Sequence, residues 1–353
     1  MIIADKEELK KFYSNNRKWQ GIPSIERTQK GRLFAAFYSG GAGEQLGNFI
    51  VLLKSDDDGL TWSEPITAVY RGEDYRCFDQ CLWIDPLGRL WLIWGVQPEY
   101  KLYASICENP DQDELEWSDY FVIGGEVMMN KPTVLSTGEW LFPIAVWAKG
   151  VESVRGLASN EEDRRIFVYA TEDCGKTFAK RGGTDCADRI FDEHMILERK
   201  DGSLLMYIRT KGNIAQSVSY DRGYTWTYGE DSGIKSPSAR FCLKRLKSGN
   251  VLFINHYNFT GRNNLTAMIS KDDCKTFEGF LTIDERDNVS YPDAVEDDEG
   301  NIYIIYDRER GRTYVNKPDP AREILLAKIT EQDILAGKLV AKTSRLKNIV
   351  SKL

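Results

Sequence analysis

The chain has 353 residues, of which 42% are hydrophobic, 12% aromatic and 29% charged, a composition that excludes disordered, collagen-like and low-complexity classes. Its 47 basic and 54 acidic residues give a formal net charge of −7. Because an acidic chain repels phosphate backbones unless a local basic patch overrides the field, we expect no nucleic-acid partner.

The first segment of the chain, residues 5–16, is rich in acids and lysines. It predicts a short peripheral helix, and residues 330–336 predict another, ahead of a C-terminal tail at about residues 337–353. The N-terminal segment lacks the apolar run of a secretory leader, and no later stretch approaches about 20 consecutive apolar residues. We therefore expect a cytoplasmic protein with no membrane partner.

Seven cysteines occur at irregular spacing, without CxxC pairs and without histidines at the spacing of metal ligands. An odd number of cysteines in a chain expected to be cytoplasmic favours reduced, mostly buried thiols over disulfides or a metal site. We expect no bound metal.

A Ser/Thr-x-Asp-x-Gly-x-Thr-aromatic pattern, here called an Asp box, recurs along the chain. Its Asp and Ser/Thr side chains can satisfy backbone groups of a tight hairpin, its Gly supplies a positive φ, and its aromatic ring can fill the space between neighbouring sheets. The last copy has Cys274 where the others have Gly. The four copies lie at residues 55–62, 171–178, 219–226 and 270–277.

A turn glycine followed by an apolar β-run recurs six times at intervals of about 50 residues. These glycines are Gly31, Gly88, Gly138, Gly202, Gly249 and Gly300. The spacing fits one four-stranded sheet per copy, the period of propeller blades. We therefore predict an all-β, six-bladed β-propeller that occupies residues 1–353 as a single domain. Two stacked β-sandwiches would not produce six evenly spaced copies.

Two of the six repeats lack a clear Asp box. In the long gap between the first two boxes, residues 105–117 provide a degenerate copy. In the last repeat we predict that the outer strand includes residues 323–329.

Asp boxes on a six-unit propeller resemble the sialidase (neuraminidase) superfamily, from about residue 18 to residue 329. The resemblance is sharper in residues 191–210, where Glu193 and Arg209 stand sixteen positions apart. This segment is similar to the sialidase segment that supplies a buried glutamate and an arginine that binds the substrate.

Two further segments resemble parts of a sialidase site. The segment that runs from Arg262 into the last Asp box is similar to the one carrying another arginine of the family's carboxylate-binding triad. The segment Ser-Tyr-Pro-Asp resembles the one with the nucleophilic tyrosine, which implies Tyr291 as nucleophile and Asp293 as a substrate-binding neighbour. A neutral phenol avoids the repulsion that an acidic nucleophile would meet at an anomeric centre bearing a carboxylate. Glu193 would then act as the base for Tyr291.

The chain departs from the sialidase pattern at two places. Gly21 stands where the family has its first triad arginine, which weakens bidentate recognition of a carboxylate. The loop at residues 39–48, which in the family presents an aspartate acid/base, carries only Glu44 as a carboxylate. Glu44 could do that proton work from a longer side chain. Arg76 and Asp79, at the start of a predicted strand of the second repeat, could substitute for a missing partner.

The two histidines of the chain, His194 and His256, both fall within or beside these segments. Histidine moves protons near neutral pH, so each is a candidate site residue. Propellers similar to this one cleave uronic-acid glycans by β-elimination, with a His or Tyr base and an arginine that neutralises the carboxylate. Tyr291 with either histidine, and Arg209 or Arg262, could serve that reaction.

Three functions remain open at this point. The first is an exo-acting, retaining glycoside hydrolase of sialidase type that takes an acidic sugar or oligosaccharide and needs no cofactor. The second is a lyase or hydrolase directed at uronates and using histidine. The third is a glycan-binding propeller without catalysis.

Overall fold

The computed structural model describes residues 1–147, 163–311 and 317–353 of the chain. Within these ranges the strands form six antiparallel sheets, arranged as the blades of a propeller. This confirms the predicted six-bladed, all-β fold. The innermost strands of several neighbouring blades pack against one another, and the first blade contacts the last in this way and so closes the ring.

The first three blades are formed by strands in chain order, except that the N-terminal strand β1 pairs with the outer strand of blade one. Blade one contains β1 (Ile2–Ile3), β2 (Trp19–Arg27), β3 (Leu33–Gly40), β4 (Phe49–Ser55) and β5 (Thr67–Val69). Blade two contains β6 (Arg76–Ile84), β7 (Leu90–Gln97), β8 (Lys101–Cys107) and β9 (Phe121–Gly124). Blade three contains β10 (Thr133–Val134), β11 (Trp140–Ala145), β12 (Ile166–Thr171) and β13 (Ala179–Thr184).

The last three blades follow the same order from the innermost strand outwards. Blade four contains β14 (Met195–Glu198), β15 (Leu204–Arg209), β16 (Asn213–Ser219) and β17 (Glu230–Lys235). Blade five contains β18 (Cys242–Arg245), β19 (Val251–His256), β20 (Leu265–Ser270) and β21 (Glu278–Asp284). Blade six contains β22 (Val289–Glu296), β23 (Asn301–Arg308), β24 (Glu323–Thr330) and β25 (Arg345–Lys352).

Two short helices in the described part of the chain lie outside the sheets. Helix α1 (Lys6–Leu9) is followed by two 3₁₀ turns, Lys10–Phe12 and Ser14–Asn16, close to the predicted bounds. Helix α2 (Glu331–Ala336) begins at a capping box and ends at a left-handed glycine. Within the described ranges, no helix has the length and apolar character needed to cross a membrane.

The end of the chain corrects one expectation. Residues 345–352, assigned from the sequence to a C-terminal tail, form β25, the outer strand of blade six. The strand predicted to be outermost is instead β24, third in its sheet. The prediction missed the outer strand because most of its side chains are only half-buried, so its sequence lacks the apolar alternation that marks a strand.

The repeated motifs form the predicted turns. The six turn glycines have φ values between +80° and +102°, and each connects the first two strands of its blade. In each Asp box, the first hydroxyl accepts from the backbone N–H at the Gly position (2.9 Å) and the carboxylate accepts from the Thr hydroxyl (2.6 Å). The threonine bond, with further hydrogen bonds from the turn, lowers the pKa of Asp57, Asp173 and Asp272 to about 2.

The hydrophobic core consists of the layers between adjacent blades. The four Asp-box aromatic residues each pack against one of these layers, as predicted. All seven cysteines belong to the described ranges and are free thiols, and six of them are buried. Because the first strand of each blade begins at the face where its second strand ends, residues from distant parts of the sequence meet at that face.

Candidate functional site

A cavity of about 270 Å³ opens at the face where the first strands begin. It contains three arginines, a tyrosine and two carboxylates, contributed by blades one, four, five and six. Its lining residues are Glu44, Phe191, Arg209, Arg262, Asn288, Ser290, Tyr291, Glu309 and Arg310. The cavity is called the central cavity below.

Tyr291, Glu193 and Arg209 form a triangle of hydrogen bonds beneath this cavity. The Tyr291 hydroxyl donates to Glu193 Oε1 at 3.1 Å, and Arg209 donates to the same oxygen at 2.6 Å and to the hydroxyl at 3.1 Å. Glu193 Oε2 is buried and, among the described residues, has no hydrogen-bond partner. The triangle therefore places a carboxylate with spare acceptor capacity against a phenol.

The backbone at Tyr291 explains why this side chain reaches the cavity. The residue lies in a β-bulge of β22 and has a φ of +58°, a left-handed value that is unusual for a residue with a side chain. Ile22 in blade one and Asp79 in blade two occupy equivalent bulges, with φ of +58° and +47°. Blade six thus uses a bulge shared by three blades to turn a tyrosine towards the centre.

Arg262 lies beside the Tyr291 ring, with its guanidinium carbon 5.4 Å from the ring centre. The guanidinium donates to the carbonyl oxygen of Ser238 at 3.0 Å, and within the described ranges it forms no ion pair with a carboxylate. Burial lowers the pKa of Arg262, and the positive charges of Arg310 and Arg209 lower it further. An anion entering the cavity would relieve this unfavourable field.

Arg310 also lines the central cavity, and the sequence did not predict it. It fills the space beside Gly21: a Cβ atom on Gly21 would lie 2.2 Å from Arg310 Cδ. Its guanidinium lies 4.5 Å from the Tyr291 ring centre and pairs with Glu44 at 3.2 Å and Asp307 at 3.3 Å. An arginine from blade six thus occupies the place that a residue-21 side chain would take. The sequence indicated this arginine only indirectly, through the glycine at position 21 and the run of charged residues after β23.

Glu44 and Arg76 lie at one side of the central cavity. The Glu44 carboxylate, which lines it, bridges Arg310 and Arg76, at 3.2 Å and 2.8 Å. Arg76 is buried, also bonds the Tyr38 hydroxyl at 2.9 Å, and does not itself line the cavity. Arg76 therefore fixes the position of the Glu44 carboxylate without itself lining the cavity.

Asp79 and Asp293 do not line the central cavity. Asp293 lies two residues beyond Tyr291 and faces the opposite end of the propeller's central channel. There it accepts hydrogen bonds from the Ser24 hydroxyl and the Ile25 backbone N–H. Asp79 is buried at the blade-two bulge. Because the bulge changes the strand direction, closeness in sequence to Tyr291 does not bring Asp293 to the site.

Neither histidine lines the central cavity. His194 is buried with its two ring nitrogens 3.0 Å and 2.8 Å from the carbonyl oxygens of Asp192 and Phe167, and burial lowers its pKa. His256 lines a different cavity, and burial lowers its pKa to about 4. Among the described residues, no group of three or more His, Cys, Asp or Glu side chains is placed to hold a metal ion.

Solved structures share this fold at low sequence identity. A Hadza microbial sialidase, Hz136, is 18% identical with a TM-score of 0.64, over 82% of this chain and 63% of its own. The intramolecular trans-sialidase from Ruminococcus gnavus is 15% identical with a TM-score of 0.65, over 90% of this chain and 95% of its own. The α-L-arabinanase of Penicillium chrysogenum is 13% identical with a TM-score of 0.58, over 90% of this chain and 94% of its own.

These likenesses establish the fold, and a family model adds the family. The chain spans 63% of the length of the Hadza sialidase. Comparison with curated protein sequences gives no match. Residues 31–304 match the model of the BNR repeat-like domain, which agrees with the Asp boxes, the six blades and the sialidase neighbours. The chain therefore belongs to the BNR repeat-like domain family, with the propeller of the sialidase-like superfamily.

Proposed function

We propose that the central cavity is the catalytic site of a retaining glycoside hydrolase that removes a terminal acidic sugar, with a sialoside as the first substrate to test. The observation that carries the proposal is the hydrogen-bonded triangle of Tyr291, Glu193 and Arg209 next to Arg262, which has no carboxylate partner in the described part of the chain. It combines a nucleophile, its base and an anion-binding group at one place.

The positive charge of the central cavity favours a substrate that carries an anionic group. Arg209, Arg262 and Arg310 all line it, so three guanidinium groups surround a space of about 270 Å³. Glu193 and Glu44 pair with two of these arginines, whereas Arg262 has no carboxylate partner among the residues the structure describes. A carboxylate matches the guanidinium fork, which can bind it through two parallel hydrogen bonds.

The first step uses the Tyr291 hydroxyl oxygen. It attacks the anomeric carbon while its proton passes to Glu193 Oε1, 3.1 Å away. The bond from the anomeric carbon to the leaving oxygen breaks, that oxygen takes up a proton from solvent water, and the sugar becomes covalently linked to Tyr291. Arg209 stabilises the phenolate character that develops on that oxygen, because it donates to the hydroxyl at 3.1 Å.

The second step needs a base for water. Glu44 lines the cavity and its carboxylate is held there by two guanidinium groups, so it is positioned to accept a proton from water. Water attacks the anomeric carbon and its proton passes to Glu44, while the bond to Tyr291 breaks and Glu193 returns its proton to the phenolate oxygen. Glu44 then releases its proton to solvent, which restores the starting state. Two displacements at the same carbon retain its configuration.

The uronate lyase hypothesis requires a histidine in the central cavity, and neither histidine lines it. Both ring nitrogens of His194 face backbone carbonyl oxygens, and His256 belongs to another cavity. With no histidine lining the central cavity, tyrosine and glutamate remain as its candidate proton-transfer groups.

A covalent trap tests the proposal. A fluorinated sialosyl fluoride forms the intermediate because its leaving group departs readily, and its ring fluorine slows the second step by opposing positive charge at the anomeric carbon. We expect mass spectrometry of the digested protein to find the adduct on Tyr291. An aryl sialoside whose product fluoresces gives the turnover rate in parallel.

Tyr291→Phe is the matched variant, since it removes only the phenol oxygen. It should form no adduct and release no product while keeping the native circular dichroism spectrum. An adduct on another residue, or turnover by folded Tyr291→Phe, would remove Tyr291 as nucleophile. Tight binding of sialosides with no product from the unmodified protein would favour the glycan-binding alternative.

A further inference from the structure

A second cavity, of about 540 Å³, lies between the outer strand of blade four and the flank of blade five. It contains five aromatic rings besides two buried polar side chains. Its lining residues are Gly233, Ile234, Lys235, Phe253, Asn255, His256, Tyr257, Asn258, Phe259, Met268, Phe277 and Phe280. The loop after β19 contributes to this cavity and also carries Arg262, which lines the central cavity. The second cavity is called the flank cavity below.

Asn255 places an unused acceptor in the wall of the flank cavity. Its side-chain nitrogen donates to the carbonyl oxygen of Lys235 at 3.0 Å, which fixes the orientation of the amide because a carbonyl can only accept. The amide oxygen is buried and, among the described residues, has no hydrogen-bond partner. Asn255 is 1% exposed and lines the cavity.

His256 adds a second unused acceptor. Its Nδ1 lies 2.7 Å from the carbonyl oxygen of Asn263, so Nδ1 carries the proton and Nε2 carries the lone pair. Within the described ranges Nε2 is buried without a partner, and the residue is 2% exposed. Two neighbouring buried acceptors without donors are costly, and a ligand that donates hydrogen bonds removes that cost.

The aromatic residues give the flank cavity an apolar face. Tyr257 and Phe280 lie with ring centres 4.5 Å apart and are 43% and 39% exposed. Phe253 and Phe277 lie deeper, with ring centres 5.0 Å apart. Apolar pockets with a few convergent polar groups are the usual form of small-ligand sites.

We propose that the flank cavity binds a sugar residue, which stacks an apolar ring face on Tyr257 and Phe280 and donates hydroxyl protons to Asn255 and His256. A sugar ring combines hydroxyl donors at its edge with C–H groups on its faces, which matches both walls of the flank cavity. The two buried acceptors require no charge on the ligand. The cavity is therefore a carbohydrate site separate from the arginine-lined central cavity, and it does not depend on catalysis.

Saturation-transfer NMR on the full chain tests this site. The probes are the uncharged methyl glycosides of glucose, galactose, mannose and N-acetylglucosamine. We expect transfer to at least one of them, with the strongest signals on the ring protons that face the aromatic wall. Phe280→Ala should weaken the affinity about ten-fold, which corresponds to about 1.4 kcal/mol, and Asn255→Leu should weaken it by a similar factor.

Two control variants assign the binding to the flank cavity. Tyr220→Ala removes an aromatic side chain that is 81% exposed and lies outside the flank cavity, and it should leave binding unchanged. Tyr291→Phe should also leave it unchanged, so failure of the proposed hydrolase would not affect the result. Absence of transfer to all four glycosides, or equal transfer with folded Phe280→Ala and Asn255→Leu, would overturn the proposal.

Discussion

The two ends of the propeller's central channel each hold a cluster of buried charges, and the clusters differ in how they are paired. The site cluster, at the end where the first strands begin, comprises Glu193, Arg209, Arg262, Tyr291 and Arg310. The paired cluster, at the end towards which these strands run, comprises Glu26, Lys131, Arg240 and Asp293.

In the paired cluster every charge has a partner of opposite sign. Lys131 lies 2.7 Å from Glu26 and 3.3 Å from Asp293, and Arg240 lies 3.7 Å from Asp293. Burial alone would raise the pKa of Asp293, but the two cations outweigh it and leave the pKa below its usual value. In the site cluster, Arg262 has no carboxylate partner within the described ranges, and Glu193 Oε2 accepts no hydrogen bond there.

This difference separates two uses of buried charge. Removing one member of a fully paired cluster destabilises the ring of blades, because the remaining charges are left buried and uncompensated. A cluster with spare donors and acceptors costs stability and is suited to bind something else. Each cluster therefore predicts a different response to mutation, in stability for one and in activity for the other.

The largest expected effect is on activity, in Tyr291→Phe. We expect turnover of an aryl sialoside to fall at least about 10³-fold, equivalent to about 4 kcal/mol of transition-state stabilisation. The melting temperature should change little, since the phenyl ring keeps its contacts. Steady-state kinetics and thermal denaturation on the same samples measure both.

Tyr306→Phe is the control for that experiment. It removes the hydroxyl of another buried blade-six tyrosine, which bonds Asp284 at 3.0 Å outside the central cavity. It should keep its turnover and lose some stability. Equal losses of turnover in the two variants would show that tyrosine hydroxyls of this blade act through folding alone.

The second effect is on stability, in Asp293→Asn. It leaves Lys131 and Arg240 without a full counter-charge, so we expect a loss of about 3–5 kcal/mol in the free energy of unfolding. Activity per folded molecule should persist. Denaturant titration measures the loss, and an unchanged midpoint would contradict the structural role given to the paired cluster.

The stability difference between the parent chain and Asp293→Asn should depend on pH. The pKa of Asp293 is lower in the folded chain than in the unfolded one, so its stabilisation is present above about pH 4 and is lost as pH falls through the folded value. The stability gap between the parent chain and Asp293→Asn should therefore shrink in acid. A constant gap would assign the loss to packing.

The fold could be predicted from the sequence because its signals are local. A turn glycine and an Asp box each need only a few neighbouring residues, so each blade can be recognised independently of the others. The outer strand β25 could not, since its half-buried polar residues carry no such signal.

Only part of the candidate site could be predicted from the sequence, for a related reason. Glu193, Arg209, Arg262 and Tyr291 lie together and were found from short motifs. Arg310 was missed because its position depends on Gly21, almost the whole chain away, and no local pattern records a side chain that enters from another blade. Asp293 was included because it neighbours Tyr291, although the bulge turns it to the other end of the channel.

The third prediction concerns variants that move one cavity arginine from blade six, at position 310, to blade one, at position 21. Arg310→Ala should lower kcat/KM for a sialoside about 10- to 100-fold, since hydrogen bonds to a charged group contribute about 1.5–3 kcal/mol. Gly21→Arg alone should fold poorly, because its Cβ would lie 2.2 Å from Arg310 Cδ. The double variant Gly21→Arg/Arg310→Ala should recover most of the lost activity.

The double variant distinguishes a direct role of the Arg310 charge from an indirect role through Glu44. Arg310 also pairs with Glu44 and Asp307, so a loss in Arg310→Ala alone could reflect disorder of Glu44. Recovery from a guanidinium that enters from blade one would show that the charge at this place matters. A stable, folded double variant with no recovery would limit Arg310 to positioning Glu44.

The smallest expected effect has the opposite sign to that of Asp293→Asn. Burial and two neighbouring guanidinium groups lower the pKa of Arg262, so at neutral pH its charged form is less stable in the folded chain than in water. Arg262→Met keeps much of the side-chain volume and removes that charge. We expect it to leave the free energy of unfolding unchanged or to raise it by about 1 kcal/mol, while sialoside binding weakens. Denaturant titration with and without sialoside separates the two effects. A marked loss of stability without ligand would mean that Arg262 belongs with the paired charges, and the contrast between the two ends of the channel would fail at this residue.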